Sequence, residues 1–109
     1  DEAAAYLVRH GYDILQRNWR YRKLELDIIA QKDGQLIIVE VKTRRNEEFG
    51  KPDEAVTYRK IRRIVSATDV YLKRFDIDCP VRFDVISIVG DKAPFQIEHI
   101  QQAFLPPVW

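Results

Sequence analysis

Residues 24–42, LELDIIAQKDGQLIIVEVK, hold two runs rich in leucine and β-branched residues on either side of Asp33-Gly34. A two-residue Asp-Gly loop between such runs is the strongest short-range hairpin signal, so two antiparallel strands are predicted here. Closing the turn at Asp33-Gly34 makes opposed residue numbers sum to 67. Asp27 then faces Glu40 and Glu25 faces Lys42, and the period of two places all four on one face of the sheet. A four-residue turn keeps this register, whereas a three-residue turn changes it.

Like charges directly opposed on a sheet repel, and carboxylates on a half-buried face also lose solvation. Lys42 supplies one compensating charge. A hard divalent cation held by Asp27, Glu40 and the Val41 carbonyl compensates more fully, and all-oxygen donors without a nearby His or Cys favour Mg²⁺, with Mn²⁺ as a substitute, over Zn²⁺. The residues alone leave a second reading open, an outward strand whose alternating charges form ordinary salt bridges.

Working outward, residues 1–10 (DEAAAYLVRH) read as the end of a helix stopped at Gly11, with the native start missing, and 12–21 as a first strand. Gly50 and Pro52 break the chain after the hairpin. Asp53 and Glu54 are expected in the first turn of a helix that runs to about Phe75, because acids suit the positive end of the helix dipole. Ile61, Ile64, Val65, Thr68, Leu72 and Phe75 form its apolar face, and Arg59, Arg62, Arg63, Lys73 and Arg74 the opposite one. VRFDVISIV at 81–89 reads as a buried strand, 95–97 as a short one, and 100–104 as a terminal turn or helix. The order predicts an α/β sandwich around a mixed sheet.

The 109 residues, 46% hydrophobic, fit one domain, and no apolar run reaches the ~18 residues of a membrane span. The single Cys79 cannot form an internal disulfide, which favours a reducing, cytoplasmic setting. Net charge is +1, yet the first 75 residues hold 16 of the 18 Lys and Arg, so a basic face is available where the total charge hides it. Solvated exterior is the plainer reading of the same residues. His10 and His99 stand far apart without a cysteine partner and read as structural or exposed, and no Gly-rich nucleotide loop is present. Trp19 and Tyr21 among Arg17, Arg20 and Arg22 fit either base stacking or core packing, with packing favoured, and Arg82 with Asp84 fits a structural ion pair.

Asp27, then Glu40-Val41-Lys42 after a hairpin, resembles the PD-(D/E)xK nuclease motif. LELDIIAQKDGQLIIVEVKTR, FGKPDEAV, the helix containing Lys60, RFDVISI and IEHIQQAF together resemble, in order, the YraN-like family of small predicted endonucleases. The resemblance covers nearly the whole chain and implies the restriction-endonuclease-like, Holliday junction resolvase-like αβββαβ core. It departs from the pattern at Leu24, where the family usually has Gly, and at Leu26, where the motif's Pro would precede Asp27. The resemblance implies hydrolysis of phosphodiesters in nucleic acid, DNA first and branched DNA among the candidates, with Mg²⁺ on Asp27 and Glu40. Lys42 is implied to position water or stabilise phosphorane charge, and Glu25 to pair with Lys42 or to serve a second metal. Thr43, Arg44 and Arg45, and Arg59, Lys60 and Arg63 on the helix, are implied nucleic-acid contacts. By analogy with resolvases, a homodimer is implied as well. A non-catalytic nucleic-acid-binding or protein-interaction module with the same fold stays open, and metal binding at Asp27 and Glu40 separates the two.

Overall fold

The Asp33-Gly34 turn takes its expected form, with both residues at positive φ (51° and 79°), the conformation that a two-residue hairpin of matching twist requires. The computed structural model describes residues 1–45 and 56–106. In it β2 (Leu24–Lys32) and β3 (Gln35–Arg44) pair antiparallel from Lys32↔Gln35 to Ile28↔Val39, the predicted register. Strand β1 (Asp13–Tyr21) adds antiparallel to β2, β4 (Val81–Val89) runs parallel to β3, and β5 (Gln96–Ile100) closes the far edge antiparallel to β4. The resulting sheet has the order β1-β2-β3-β4-β5. With α1 (Glu2–Arg9) before it and α2 (Tyr58–Arg74) crossing between β3 and β4, this is the αβββαβ order of the restriction-endonuclease-like core plus one strand.

Helices cover both faces, so β3 and β4 carry the near-continuous buried runs of a two-sided sheet. Beneath α1, Ala3 and Leu7 pack with Ile28, Ala30, Ile37, Val39, Ile86 and Ile88. Beneath α2, Ile64, Ala67 and Tyr71 pack with Trp19, Leu26, Ile29, Leu36, Ile38 and Phe83. No helix among the described residues is long and apolar enough to cross a membrane.

Three local expectations change. Helix α2 starts at Tyr58, with Thr57 as N-cap accepting from the Lys60 N–H, because the hydroxyl satisfies a backbone donor there; Asp53 and Glu54 lie outside the described residues. Its buried face is Ile64, Ala67, Thr68 and Tyr71, and Phe75 is 47% exposed at the C-cap, where the helix has already ended. The last strand is longer than expected, reaching Ile100, and the expected terminal turn follows at Gln101 and Gln102.

The predicted Arg82–Asp84 pair is part of a larger buried group under α1. Asp84, fully buried, accepts from Arg82 Nε (2.9 Å) and Nη2 (2.8 Å), from the Gln102 N–H (3.0 Å), and lies 2.7 Å from His99 Nε2. Arg82 also donates to the Tyr12 hydroxyl at 2.6 Å, and His99 Nδ1 stands 3.2 Å from the Tyr6 hydroxyl. His99 is therefore structural, as read; His10 is exposed and stacks on Tyr6. Trp19 is buried edge-on to Tyr71 at 5.3 Å, which settles its role as core packing.

Candidate functional site

Strand β2 does not alternate cleanly. Leu24 and Leu26 pack beneath α2 with Ile29, while Ile28 and Ala30 pack beneath α1, so the period of two breaks at Asp27. The neighbouring strand is irregular at the same level: the β1–β2 ladder passes from Arg17↔Ile28 to Trp19↔Leu26, and between them Asn18, opposite Asp27, sits at φ 52°. Asn tolerates this left-handed conformation better than most residues, and strand irregularities of this kind re-aim side chains. Two consequences follow for the carboxylates. Asp27 stays on the α2 side, and Glu25 pairs with Arg20 at 2.7 Å. The expected Glu25–Lys42 opposition is thereby overturned, because it assumed unbroken alternation.

Past Ile28↔Val39 the side chain of Asp27 takes over from the backbone ladder, its Oδ2 accepting the Val41 N–H at 2.8 Å. This hydrogen bond fixes Asp27 beside Glu40, the residue just before Val41. Glu40 is 7% exposed and has the Lys60 ammonium 3.7 Å from Oε2. Its carboxyl is pushed up to about 8, first by burial, then by the hydrogen bond and charge of Asp27, while Lys60 and Lys42 pull it down. Lys60 is half-exposed and too distant for a hydrogen bond, so it offsets only part of the burial. Burial beside Asp27 thus favours the protonated form of Glu40.

Two adjacent carboxylates with only oxygen donors fit Mg²⁺, which takes one or two carboxylates and completes its shell with water and substrate phosphate. No third His, Cys, Asp or Glu joins them in a metal-binding group among the described residues. A full protein cage, of the kind Zn²⁺ uses, is not formed there.

The model of the uncharacterised protein family UPF0102 matches residues 1–88, which contain the hairpin, the acidic pair and most of β4. The chain belongs to this family. A UPF0102 protein of Phocaeicola vulgatus is 58% identical over all of this chain and 90% of its own length. One of Bacteroides fragilis is 56% identical over the same shares, and one of Flavobacterium psychrophilum 43% over 95% of this chain and 87% of its own. The YraN-like resemblance seen in the motif is thus a family membership.

In this UPF0102 chain, Lys42 follows Glu40 on the α2 face of β3, close enough to lower the Glu40 carboxyl's affinity for its proton. Thr43 and Arg45 are exposed and Arg44 is half-buried at the end of the strand, where Arg45 stands 3.5 Å from Asp91. Arg59 is exposed on the first turn of α2, and Arg63 donates to the Lys23 carbonyl at 2.7 Å, tying α2 to the β1–β2 turn. Lys60 is brought to Glu40 by the helix crossing, a closeness that motif spacing does not reveal. Asn18 was also missed; an Asn in the middle of a strand is the signal that could have found it.

Ser87 pairs with Lys42 across β3 and β4, is fully buried, and its hydroxyl has no hydrogen-bond partner among the described residues. A buried unpaired hydroxyl costs about 1–3 kcal/mol. Ser87→Ala is expected to leave the urea midpoint unchanged or raise it; a midpoint lowered by more than about 1 kcal/mol in stability would show that the hydroxyl is paired in solution.

Proposed function

We propose that the chain is a metal-dependent nuclease that hydrolyses phosphodiester bonds in nucleic acid. The observation that carries this reading is the buried Glu40 carboxyl set beside the half-buried Asp27, whose Oδ2 accepts the Val41 N–H at the point where the hairpin ladder gives way. Such a pair is costly unless a cation or a proton neutralises it. A divalent cation held by Asp27 and Glu40 would polarise the scissile phosphate and lower the pKa of a bound water. Lys42 stabilises charge building on the phosphate oxygens, and Lys60 neutralises Glu40 from the helix side. Thr43, Arg44 and Arg45 meet neighbouring phosphates, which fix register without reading sequence. Family membership supports this reading, since the YraN-like pattern is that of predicted endonucleases. Glu25, paired with Arg20, is given no metal-binding role in this reading.

The test is cleavage of labelled linear and branched DNA with Mg²⁺, Mn²⁺ or EDTA. Wild type is expected to cut with either metal and not in EDTA, and Asp27→Ala to lose on the order of 10³-fold in rate, ~4 kcal/mol of transition-state stabilisation. DNA binding with a steep salt dependence but no cutting would replace the nuclease with a binding module.

A further inference from the structure

The aromatic and basic mix at residues 17–22 is satisfied internally: Trp19 is in the core, and Tyr21 has the guanidinium groups of Arg22 and Arg74 at 5.3 and 5.6 Å from its ring. Tyr58 behaves differently. It is the first residue of α2, is 57% exposed, and has Arg62, one turn on, with its guanidinium 5.9 Å from the ring centre. Together with Leu24, Arg59, Arg63 and Ser66 they line a solvent-open groove of about 330 Å³ between α2 and the start of β2. The described lining holds guanidinium groups and an aromatic face but no carboxylate. The first turn of α2 carries no acid either, so the helix dipole adds to the positive field.

The groove shares helix α2 with the lysine that approaches the acidic pair. Lys60, on the same helical turn as Tyr58 and Arg59, reaches Glu40, and Arg63 is held against the Lys23 carbonyl. Phosphate alone would use the arginines and leave the ring idle, and duplex DNA keeps its base faces stacked away from any such ring. An unpaired nucleotide uses both features, with its base on the aromatic face and its phosphate on the guanidinium groups. The volume suits a small ligand.

We propose that this groove binds an unpaired nucleotide of the nucleic-acid substrate, its base stacked on Tyr58 and its phosphates on Arg59 and Arg63. The proposal rests on the nuclease reading for its substrate class and selects strands with unpaired nucleotides. It is tested in EDTA, where nothing is cut, by fluorescence anisotropy with three labelled probes: an oligothymidylate, a blunt duplex, and a duplex bearing a single-stranded arm. Tyr58→Leu is expected to weaken binding of the first and third by about 5- to 150-fold and to leave the blunt duplex unchanged, and Tyr58→Phe to match wild type. Circular dichroism of each variant checks that α2 is intact.

Equal weakening of all three probes, no weakening, or no binding by wild type overturns the groove. Tyr58-dependent binding without metal-dependent cutting sinks the catalytic reading and keeps the groove. Cutting that is indifferent to Tyr58→Leu does the reverse.

Discussion

Glu40→Gln is expected to stabilise the chain at alkaline pH while abolishing metal-dependent cleavage. The Glu40 carboxyl is raised from 4.5 to about 8 in the folded chain, with burial the first cause and Asp27 the second. Below the unfolded value both states hold the proton and the folded state keeps its full stability. Between the two values the folded state retains a proton that the unfolded chain has released, so stability falls as pH rises and the loss is complete above about 8. A shift of this size corresponds to a loss on the order of several kcal/mol. Glutamine keeps a donor for Asp27 and has no charge to bury.

Urea midpoints of wild type and variant across this pH range should therefore diverge, with the variant flat. Parallel curves would show that Glu40 is not held protonated. Mg²⁺ adds an independent reading. It must displace the proton, so its affinity for wild type should rise with pH and its addition should restore alkaline stability. The variant, with one ligand gone, should gain nothing from the metal.

Asp84→Ala is expected to cost about 3–5 kcal/mol, which can exceed a third of the stability of a small domain. Asp84 is wholly buried and serves Arg82, His99 and the Gln102 N–H together. Removing it leaves the Arg82 guanidinium, whose side chain is 16% exposed, with the Tyr12 hydroxyl alone among the described residues. Burial alone would raise the Asp84 carboxyl, but hydrogen bonds from His99, Arg82 and the Gln102 backbone outweigh it and hold it below its usual value. The sign is thus opposite to that of Glu40. Asp84 contributes stability above the ordinary aspartate range and loses it as pH falls through the lowered value.

The measurement is thermal or urea unfolding of Asp84→Ala and Asp84→Asn. Alanine should be the worse of the two, because asparagine keeps the shape and some acceptor capacity. A loss below about 1 kcal/mol for alanine would mean that the group is solvated. The network lies beneath α1, on the face of the sheet away from Glu40, so a folded Asp84→Asn variant should retain the metal response of wild type.

The amino-acid sequence by itself determined the hairpin, its register and the meeting of Asp27 with Glu40. These follow from one tight turn and short-range alternation, and both are local properties of residues 24–42. It also determined the α-β order, because helical and strand periodicities are written in neighbouring residues. Only the tertiary structure decided which residues share a face where alternation fails. Asn18 at positive φ lies opposite Asp27, both strands break alternation there, and Glu25 pairs with Arg20. Strand periodicity cannot show this, since the irregularity involves two strands. The approach of Lys60 to Glu40 and of His99 to Asp84 has the same origin: helix crossing and sheet register join residues that no sequence spacing links. The exposed ring of Tyr58 belongs with them, because whether an aromatic is core or platform depends on what packs over it.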